Sequence, residues 1–364
     1  MNVEKRTGNK YYIDFLKAAG AAVIMVYHYR NVGLWDPSWP ADAGLPLAGA
    51  FGAAYQYGYL AVELFYILSG FGFVQKYLFS EKNGISFWKF LGGRLAKFYP
   101  VFFITTILSV ILQYAAYFTT GSFCIRLDKL TLVDVFLSIA MLQCGIFDTR
   151  LPFNVPTWFM TPLLICYILF WSLFLRPNRK ENNRAAWLLS AALAGIGLAV
   201  LWLGWNTAIL NERMMRGIYS FFFGVLLGGF CAFFNKRRRT TAICGIMIIC
   251  LSVIMMRGKQ DKNLYLFSVP FFSSFILLME DIRIDHILSL NPLRLLYMPL
   301  AKLSYPLFCS HYVALIGIVY LGRFVSLSKY YGSLEFFALY CVLSVGLAIL
   351  AQKTGDYFMR KSMN

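Results

Sequence analysis

The chain has 364 residues, of which 59% are hydrophobic and 18% aromatic, whereas only 14% are charged. Soluble globular proteins carry charge on about a quarter of their residues, so this composition excludes an ordinary soluble protein. It also excludes a disordered chain, because 34 Phe, 23 Tyr and 8 Trp supply many apolar anchors. The composition therefore indicates a polytopic membrane protein.

The net charge is +17, from 34 Lys and Arg against 17 Asp and Glu. In a soluble protein this excess would suggest a nucleic-acid partner. Here the basic residues lie in short loops between apolar runs, as the positive-inside rule describes, so we expect no nucleic-acid partner. The eight cysteines form no C-x-x-C pair, and neither a disulfide framework nor a metal site is expected.

Apolar runs of roughly 20 residues, the length that crosses a bilayer, recur along the whole chain. Eleven candidates begin near Tyr11, Gly58, Tyr99, Leu130, Pro156, Ala185, Met214, Thr241, Leu264, Pro299 and Leu334. If all eleven crossed, the basic loops Arg176–Arg184 and Lys236–Arg239 would lie outside, against the positive-inside rule. The run from Leu130 to Ile146 is short and carries Asp134 and Gln143, so it is better interpreted as a re-entrant or interfacial segment.

The sequence thus predicts an all-α membrane bundle of about ten transmembrane helices plus one re-entrant or interfacial segment. No long hydrophilic stretch separates the spans, so residues 1–364 are expected to form a single domain. Most basic residues fall on the cytoplasmic side when both termini are cytoplasmic, which is the orientation we expect.

The first span, Tyr11 to Arg30, contains three ionisable residues, Asp14, Lys17 and His28. Such residues are costly in a membrane and usually have a function or a partner. Lys17 and His28 are eleven residues apart, which places them within about 20° of one direction and about 16 Å apart along a helix. Alternatively, Asp14 and Lys17 form a local ion pair and His28 extends toward the outer interface.

The second span carries Glu63 within Val62-Glu-Leu-Phe-Tyr-Ile-Leu-Ser-Gly-Phe71. Glu63 lies about 7 Å below the outer surface, and His28 reaches a similar depth. A carboxylate and an imidazole at matched depth can pair, and such a pair suits general-base work on a hydroxyl. The alternative is an interhelical hydrogen bond that serves packing alone.

A basic and aromatic segment from Gly84 to Pro100 leads into the third span and contains Arg94 and Lys97. The mixture of cations and aromatic rings is typical of an interfacial helix on the inner surface. Its cations can bind lipid headgroups or the phosphates of a cytosolic donor, and the sequence leaves both interpretations open.

The next full span opens with Asn154-Val-Pro-Thr-Trp-Phe159, which brings Asn154, Thr157 and Trp158 toward the outer half of the membrane. A helix start led by proline, with a tryptophan at the interface, is the alternative interpretation. The span near Pro299 contains Ser304-Tyr-Pro-Leu-Phe-Cys-Ser-His311. It places Tyr305 in the inner part and His311 near mid-membrane, where a histidine rarely faces lipid.

These motifs occur in the order seen in the acyltransferase-3 family of integral-membrane acyl transferases, which the chain resembles over most of its length. The resemblance rests on the Lys17-x10-His28 spacing, the second-span motif around Glu63, the stretch from Arg94 to Pro100, Pro156-Thr-Trp-Phe159 and the segment ending at His311. It implies ten spans and the transfer of acetyl or similar groups, usually from acyl-CoA, to sugars of exported or cell-surface glycans.

By this resemblance, His28 matches the family's essential first-span histidine and Lys17 its basic partner, which is usually arginine. Lysine offers a point charge in place of a bidentate fork. Glu63 matches the acidic position of the second-span motif, and His311 the histidine that follows Ser-Tyr-Pro-Leu.

The resemblance implies an acyl-CoA-dependent O-acetyltransferase of the bacterial cytoplasmic membrane, with a glycan or lipid-linked sugar as acceptor. His28 and Glu63 are the expected catalytic residues. Donor binding is assigned to Lys17, Arg94, Lys97, Tyr305 and His311, and acceptor binding to Asn154, Thr157 and Trp158. Acetyl-CoA is the expected donor, no metal is expected, and membrane lipids are the surrounding partners. A transporter or flippase is the rival class, because intramembrane ionisable residues suit it as well.

Overall fold

The computed structural model describes residues 10–32, 44–78, 84–124, 131–143, 153–177, 184–233, 238–258, 264–280 and 282–363. These residues form helices and connecting turns, without a β-strand among them. Seven helical runs within them are long and apolar enough to cross a membrane. The predicted polytopic all-α bundle is therefore confirmed, whereas the count of ten crossings stays a prediction.

The helices follow the apolar runs of the sequence closely. In chain order they are α1 (Tyr11–Tyr29), α2 (Ala48–Tyr57), α3 (Ala61–Phe73), α4 (Phe87–Thr120), α5 (Leu132–Ile139), α6 (Met160–Phe170), α7 (Arg184–Leu203), α8 (Glu212–Phe233), α9 (Arg238–Gly258), α10 (Leu264–Met279), α11 (Ile282–Ser289), α12 (Asn291–Gly322) and α13 (Leu334–Met363). A 3-10 turn (Gly58–Leu60) joins α2 to α3, another (Val155–Phe159) leads into α6, and π-turns extend α3 and α6.

Two predicted helix boundaries were wrong. The sequence separated an interfacial helix from a third span near Tyr99, but α4 is one helix of 34 residues that continues through Pro100. Likewise, α12 begins at Asn291 rather than near Pro299. A proline removes a single hydrogen bond and is tolerated in long membrane helices, so it does not mark a helix start here.

The segment predicted to be re-entrant or interfacial forms α5, which has eight residues. An eight-residue helix is about 12 Å long and cannot cross a bilayer core of about 30 Å. Its first turn is fixed by a capping box, in which Thr131 and Asp134 exchange hydrogen bonds between side chain and backbone.

The end of α5 lies alongside α4. The Tyr99 hydroxyl donates to the Ile139 carbonyl at 3.2 Å. Tyr99 lies about 31 Å along the helix axis from Thr120, the last residue of α4. The Thr161 hydroxyl donates to the Met141 carbonyl at 2.7 Å. At Ile139 the chain therefore lies beside α4 again, and the choice between a re-entrant and an interfacial segment stays a prediction.

The chain divides into two compact units, which are described separately. The first contains Met1–Lys17, Val62–Gly93 and Pro162–Ala301, and the second contains Ala18–Ala61, Arg94–Thr161 and Lys302–Asn364.

In the first unit, α3 and α8 pack with their backbones in close contact. A side chain at Gly70 would meet the Phe221 carbonyl, and one at Gly224 would meet the backbone of Ile67. Small residues at such crossings let membrane helices approach closely. Beside this crossing, the buried Phe73 ring packs on Tyr167 at a centroid distance of 4.7 Å.

In the second unit, tyrosines fix the last turns of α1. The Tyr29 hydroxyl donates to the Tyr331 carbonyl at 2.6 Å, the Tyr331 hydroxyl donates to the Tyr29 carbonyl at 3.1 Å, and the two rings stack. The Tyr340 hydroxyl donates to the Met25 carbonyl at 2.9 Å. These bonds tie α1 to α13 and the segment before it, and so hold the end of α1 that carries His28.

Gly70→Ala is expected to lower the free energy of unfolding by about 1–3 kcal/mol, because the added methyl group collides with the α8 backbone. Gly72→Ala, two residues further along the same helix, has nothing within 4 Å of the added carbon and serves as the control. Thermal unfolding of the purified variants in detergent measures both. Equal melting temperatures would contradict the close packing of α3 on α8.

Candidate active site

Two histidines from different helices meet in the second unit. His311 Nε2 lies 3.0 Å from His28 Nδ1, and the ring centroids are 4.9 Å apart. His28 is the penultimate residue of α1, and His311 lies in the middle part of α12. The sequence placed His311 deeper than His28, but the structure brings the two rings into direct contact.

Backbone carbonyls determine which nitrogen of each ring carries the proton. His311 Nδ1 lies 2.9 Å from the Leu307 carbonyl, which can only accept, so His311 Nδ1 is the donor and its Nε2 is an acceptor. His28 Nδ1 lies 3.0 Å from the Ile24 carbonyl, and therefore donates to this carbonyl and to His311 Nε2. His28 Nε2 is left with a lone pair, which a base requires.

The two rings differ in how accessible they are. His311 is fully buried, whereas His28 is only partly buried. Tyr312 packs edge-on against the His28 ring at a centroid distance of 5.6 Å. His28 is therefore the member of the pair that a substrate can reach.

The predicted acceptor residues lie beside the segment of α12 that precedes His311. The Asn154 side chain donates to the Cys309 carbonyl at 2.8 Å, and the Thr157 hydroxyl donates to the Asn154 carbonyl at 2.6 Å. The Gln143 amide donates to the Thr157 carbonyl at 2.9 Å. Trp158 follows in the same turn and is partly buried. The 3-10 turn before α6 is thus anchored two residues from His311.

The predicted donor residues Arg94 and Lys97 lie one turn apart on α4, Arg94 partly buried and Lys97 exposed. Tyr305 joins them, because its hydroxyl donates to the carbonyl of Phe98 at 2.9 Å. Tyr305 precedes His311 by six residues of α12, which is about 9 Å of helix. The structure therefore brings three of the five predicted donor residues to one level of the second unit, below the histidine pair.

Lys17 belongs to the first unit, where its ammonium lies 3.2 Å from the Asp14 carboxylate. This is the local ion pair that the sequence offered as an alternative. Both side chains are more than a third exposed, so the pair contributes little to stability. A role of Lys17 in donor binding stays a proposal.

The partner predicted for Glu63 was wrong. In the first unit its carboxylate accepts from Arg216 of α8, at 2.5 Å from Nε and 3.2 Å from Nη2. Both side chains are buried, and the Arg216 guanidinium also lies over the Tyr265 ring. The prediction rested on depth in the membrane, and depth does not tell which neighbouring helix a side chain faces.

The sequence analysis did not single out Arg216, although a charged residue within an apolar run could have been recognised. Arg216 lies near the start of an apolar run and one helical turn after Glu212, whose carboxylate is 3.6 Å from the guanidinium. An ionisable residue inside a span calls for an opposite charge on another helix, and Glu63 was the available carboxylate. A forked hydrogen bond of this kind fixes both side chains at the close crossing of α3 and α8.

In the described part of the chain, no group of three or more His, Cys, Asp or Glu residues is placed to hold a metal ion.

The site thus consists of two histidines in contact within a helical membrane bundle. Comparison with known families matches residues 10–353 to the acyltransferase-3 family, described as an acyltransferase domain. The chain therefore belongs to this family and is a membrane acyltransferase. No curated protein and no solved structure matches it.

Glu63→Gln and Arg216→Gln are each expected to cost about 3–5 kcal/mol of stability, because each leaves the opposite charge buried without its partner. The double variant is expected to lose much less than the sum of the two. Melting temperatures of the four proteins in detergent give the coupling. The control is Lys17→Gln, which breaks an exposed pair and costs at most about 1 kcal/mol. Additive losses would show that the buried pair is not coupled.

Proposed function

We propose that this acyltransferase moves an acetyl group from cytosolic acetyl-CoA to a hydroxyl of a cell-surface or extracytoplasmic glycan. The contact between His28 and His311 carries the proposal, because it leaves Nε2 of the partly buried His28 unprotonated. Acyl transfer to an alcohol needs such a base, since the neutral hydroxyl is a weak nucleophile.

In the reaction, His28 Nε2 removes the proton from the acceptor hydroxyl as its oxygen attacks the thioester carbonyl. The new C–O bond forms, the C–S bond breaks, and the proton passes from His28 to the departing thiolate. During the step the ring of His28 is positively charged. The Ile24 carbonyl and His311 Nε2 both accept from Nδ1 and stabilise that charge.

His311 takes the role that the sequence gave to Glu63. Its own Nδ1 is held by the Leu307 carbonyl, so its ring is fixed with Nε2 toward His28. His311 is therefore a positioning residue, which supports the tautomer of His28 that the Ile24 carbonyl sets, as a carboxylate does in other catalytic pairs. Glu63 is assigned to the packing of α3 on α8.

Donor binding is proposed for the turn of α4 that carries Arg94 and Lys97, with Tyr305 next to it. Phosphate groups form strong charge-assisted hydrogen bonds with such cations. From this level the thioester arm needs to reach about 9 Å along α12 to the histidine pair. Lys17 is proposed to contact the same donor.

The acceptor is proposed to be a glycan or lipid-linked sugar at the outer face of the bacterial cytoplasmic membrane, with both termini of the protein in the cytoplasm. Membership in an acyltransferase family favours this function over transport. The purified protein is expected to hydrolyse acetyl-CoA slowly, a reaction that a transporter does not perform.

His28→Ala is expected to lower glycan acetylation by at least about a hundredfold, because general-base catalysis contributes about 10²- to 10⁴-fold. His311→Ala is expected to cause a smaller loss, since the Ile24 carbonyl still holds the His28 ring. Acetate released from glycans by mild base measures both. The control His286→Ala changes an exposed histidine of α11. A folded His28→Ala protein with full activity would disprove the mechanism.

Arg94→Ala combined with Lys97→Ala is expected to raise the KM for acetyl-CoA by about tenfold or more while changing kcat little, because phosphate contacts mainly hold the donor. Initial rates of CoA release at varied acetyl-CoA concentration measure the two constants. Lys353→Ala removes an exposed lysine of α13 and serves as the control. An unchanged KM would favour the alternative that these cations bind lipid headgroups.

A further inference from the structure

Part of the buried face of α4 is polar although the helix lies in a membrane. Thr106, Ser109 and Gln113 are spaced i, i+3 and i+7, so they form one stripe along the helix. Each is at most 1% exposed. The exposed positions include the apolar or aromatic residues Phe103, Ile111 and Tyr117. A membrane helix with lipid-compatible residues outside and polar residues inside turns the polar side toward a function or a partner.

The polar stripe has unused hydrogen-bonding groups. Within the described residues, Thr106 Oγ1, Ser109 Oγ and Gln113 Nε2 are buried and have no hydrogen-bond partner. The Gln113 side chain is nevertheless oriented, because its Oε1 accepts from the Cys124 backbone amide at 2.9 Å. Thr105, the neighbour of Thr106, is different, since its hydroxyl donates to carbonyls of its own helix.

Three further groups of the same unit share this property. Gln143 Oε1, Asn154 Oδ1 and Ser310 Oγ are buried and lack a hydrogen-bond partner in the part of the chain that the structure describes. All three come from segments around the histidine pair: Ser310 precedes His311, Asn154 is bonded to Cys309, and Gln143 is bonded to Thr157.

The stripe on α4 runs beside α12. Near its start, the Thr105 hydroxyl contacts the Cys309 side chain, two residues before His311. Further along, Thr119 and Tyr320 are joined by a hydrogen bond of 3.3 Å between their hydroxyls. The two helices therefore run side by side in the same direction, and the unpaired groups of α4 are at the level of the part of α12 that carries His311.

Burying a polar group without a partner costs free energy, so the six groups of the stripe and of the segments around the histidine pair need an explanation. We propose that the polar stripe of α4, together with Asn154 and Ser310, binds the hydroxyls of the acceptor sugar. This inference rests on the proposed function and specifies its acceptor. The groups are hydroxyls and amides and none is charged, so they match an uncharged ring with many hydroxyls rather than a carboxylate or an amine.

The stripe is closed over in this structure, and acceptor binding has to open this face of α4 and supply the missing hydrogen bonds. A sugar held there lies beside the histidine pair, where one of its hydroxyls meets His28 Nε2. The alternative is a structural role, in which the polar groups hold α4 against its neighbours.

The test compares a double variant, Thr106→Val with Ser109→Ala, against the control Thr105→Val. The control removes a hydroxyl that is equally buried but already bonded to its own helix. Native membranes that carry each full-length variant receive acetyl-CoA labelled in the acetyl group. Two products are followed, label in carbohydrate and label in free acetate, together with the melting temperature of the purified proteins.

The double variant is expected to transfer about tenfold less label to carbohydrate, because two hydrogen bonds to the acceptor are lost. Free acetate is expected to stay within about twofold of the wild type, since hydrolysis needs no acceptor. The melting temperature is expected not to fall, because the removed hydroxyls have no partner in the folded protein. Thr105→Val is expected to behave as the wild type in all three measurements.

Transfer at the wild-type rate in the double variant would overturn the inference. A joint fall of transfer, hydrolysis and melting temperature would overturn it in favour of the structural role. Wild-type membranes that hydrolyse acetyl-CoA but label no carbohydrate would show that the acceptor is not a sugar, while donor use stands. If the wild type forms neither product, the proposed function is wrong and this inference fails with it.

Discussion

A bilayer offers no hydrogen-bond partner, so every polar group that the helices carry into it has to be satisfied within the protein. This constraint explains the main contacts of both units. The Glu63 carboxylate meets the Arg216 guanidinium in the first unit, and His28 meets His311 in the second. Buried groups without a hydrogen-bond partner, such as the Ser109 hydroxyl, are the ones for which we propose a ligand.

The helical architecture was predictable because it depends on the length and polarity of runs along the sequence. Helices α1, α5, α10 and α13 begin within two residues of the predicted positions. The run from Leu130 was predicted not to cross, and the helix in its described part has only eight residues. Prolines misled the prediction at α4 and α12, because a proline that ends a helix in water is accommodated in a long membrane helix.

The contacts of the candidate site were less predictable. Counting residues from the membrane surface estimates the depth of each side chain. The ionisable residues chosen within the spans are mostly paired in the structure. Depth gives no information about rotation around the bundle, so Glu63 was assigned to His28 although its carboxylate bonds to Arg216. His311 was separated from His28 for a different reason: its depth was counted from a helix start near Pro299, whereas α12 begins at Asn291, and the two rings are in contact. Only the fold determines which helix faces which.

The hydrogen bonds of the histidine pair also limit where a proton can travel. His311 keeps its own proton on Nδ1, which the Leu307 carbonyl holds at 2.9 Å. The two atoms that accept from His28 Nδ1 belong to the buried residues Ile24 and His311. The other ring nitrogen of His311 is bonded to a backbone carbonyl. A backbone carbonyl does not pass a proton on, so the histidine pair does not act as a proton wire. In the proposed mechanism, a proton taken up at His28 Nε2 therefore leaves through the same atom, and the reaction conserves its proton within each turnover.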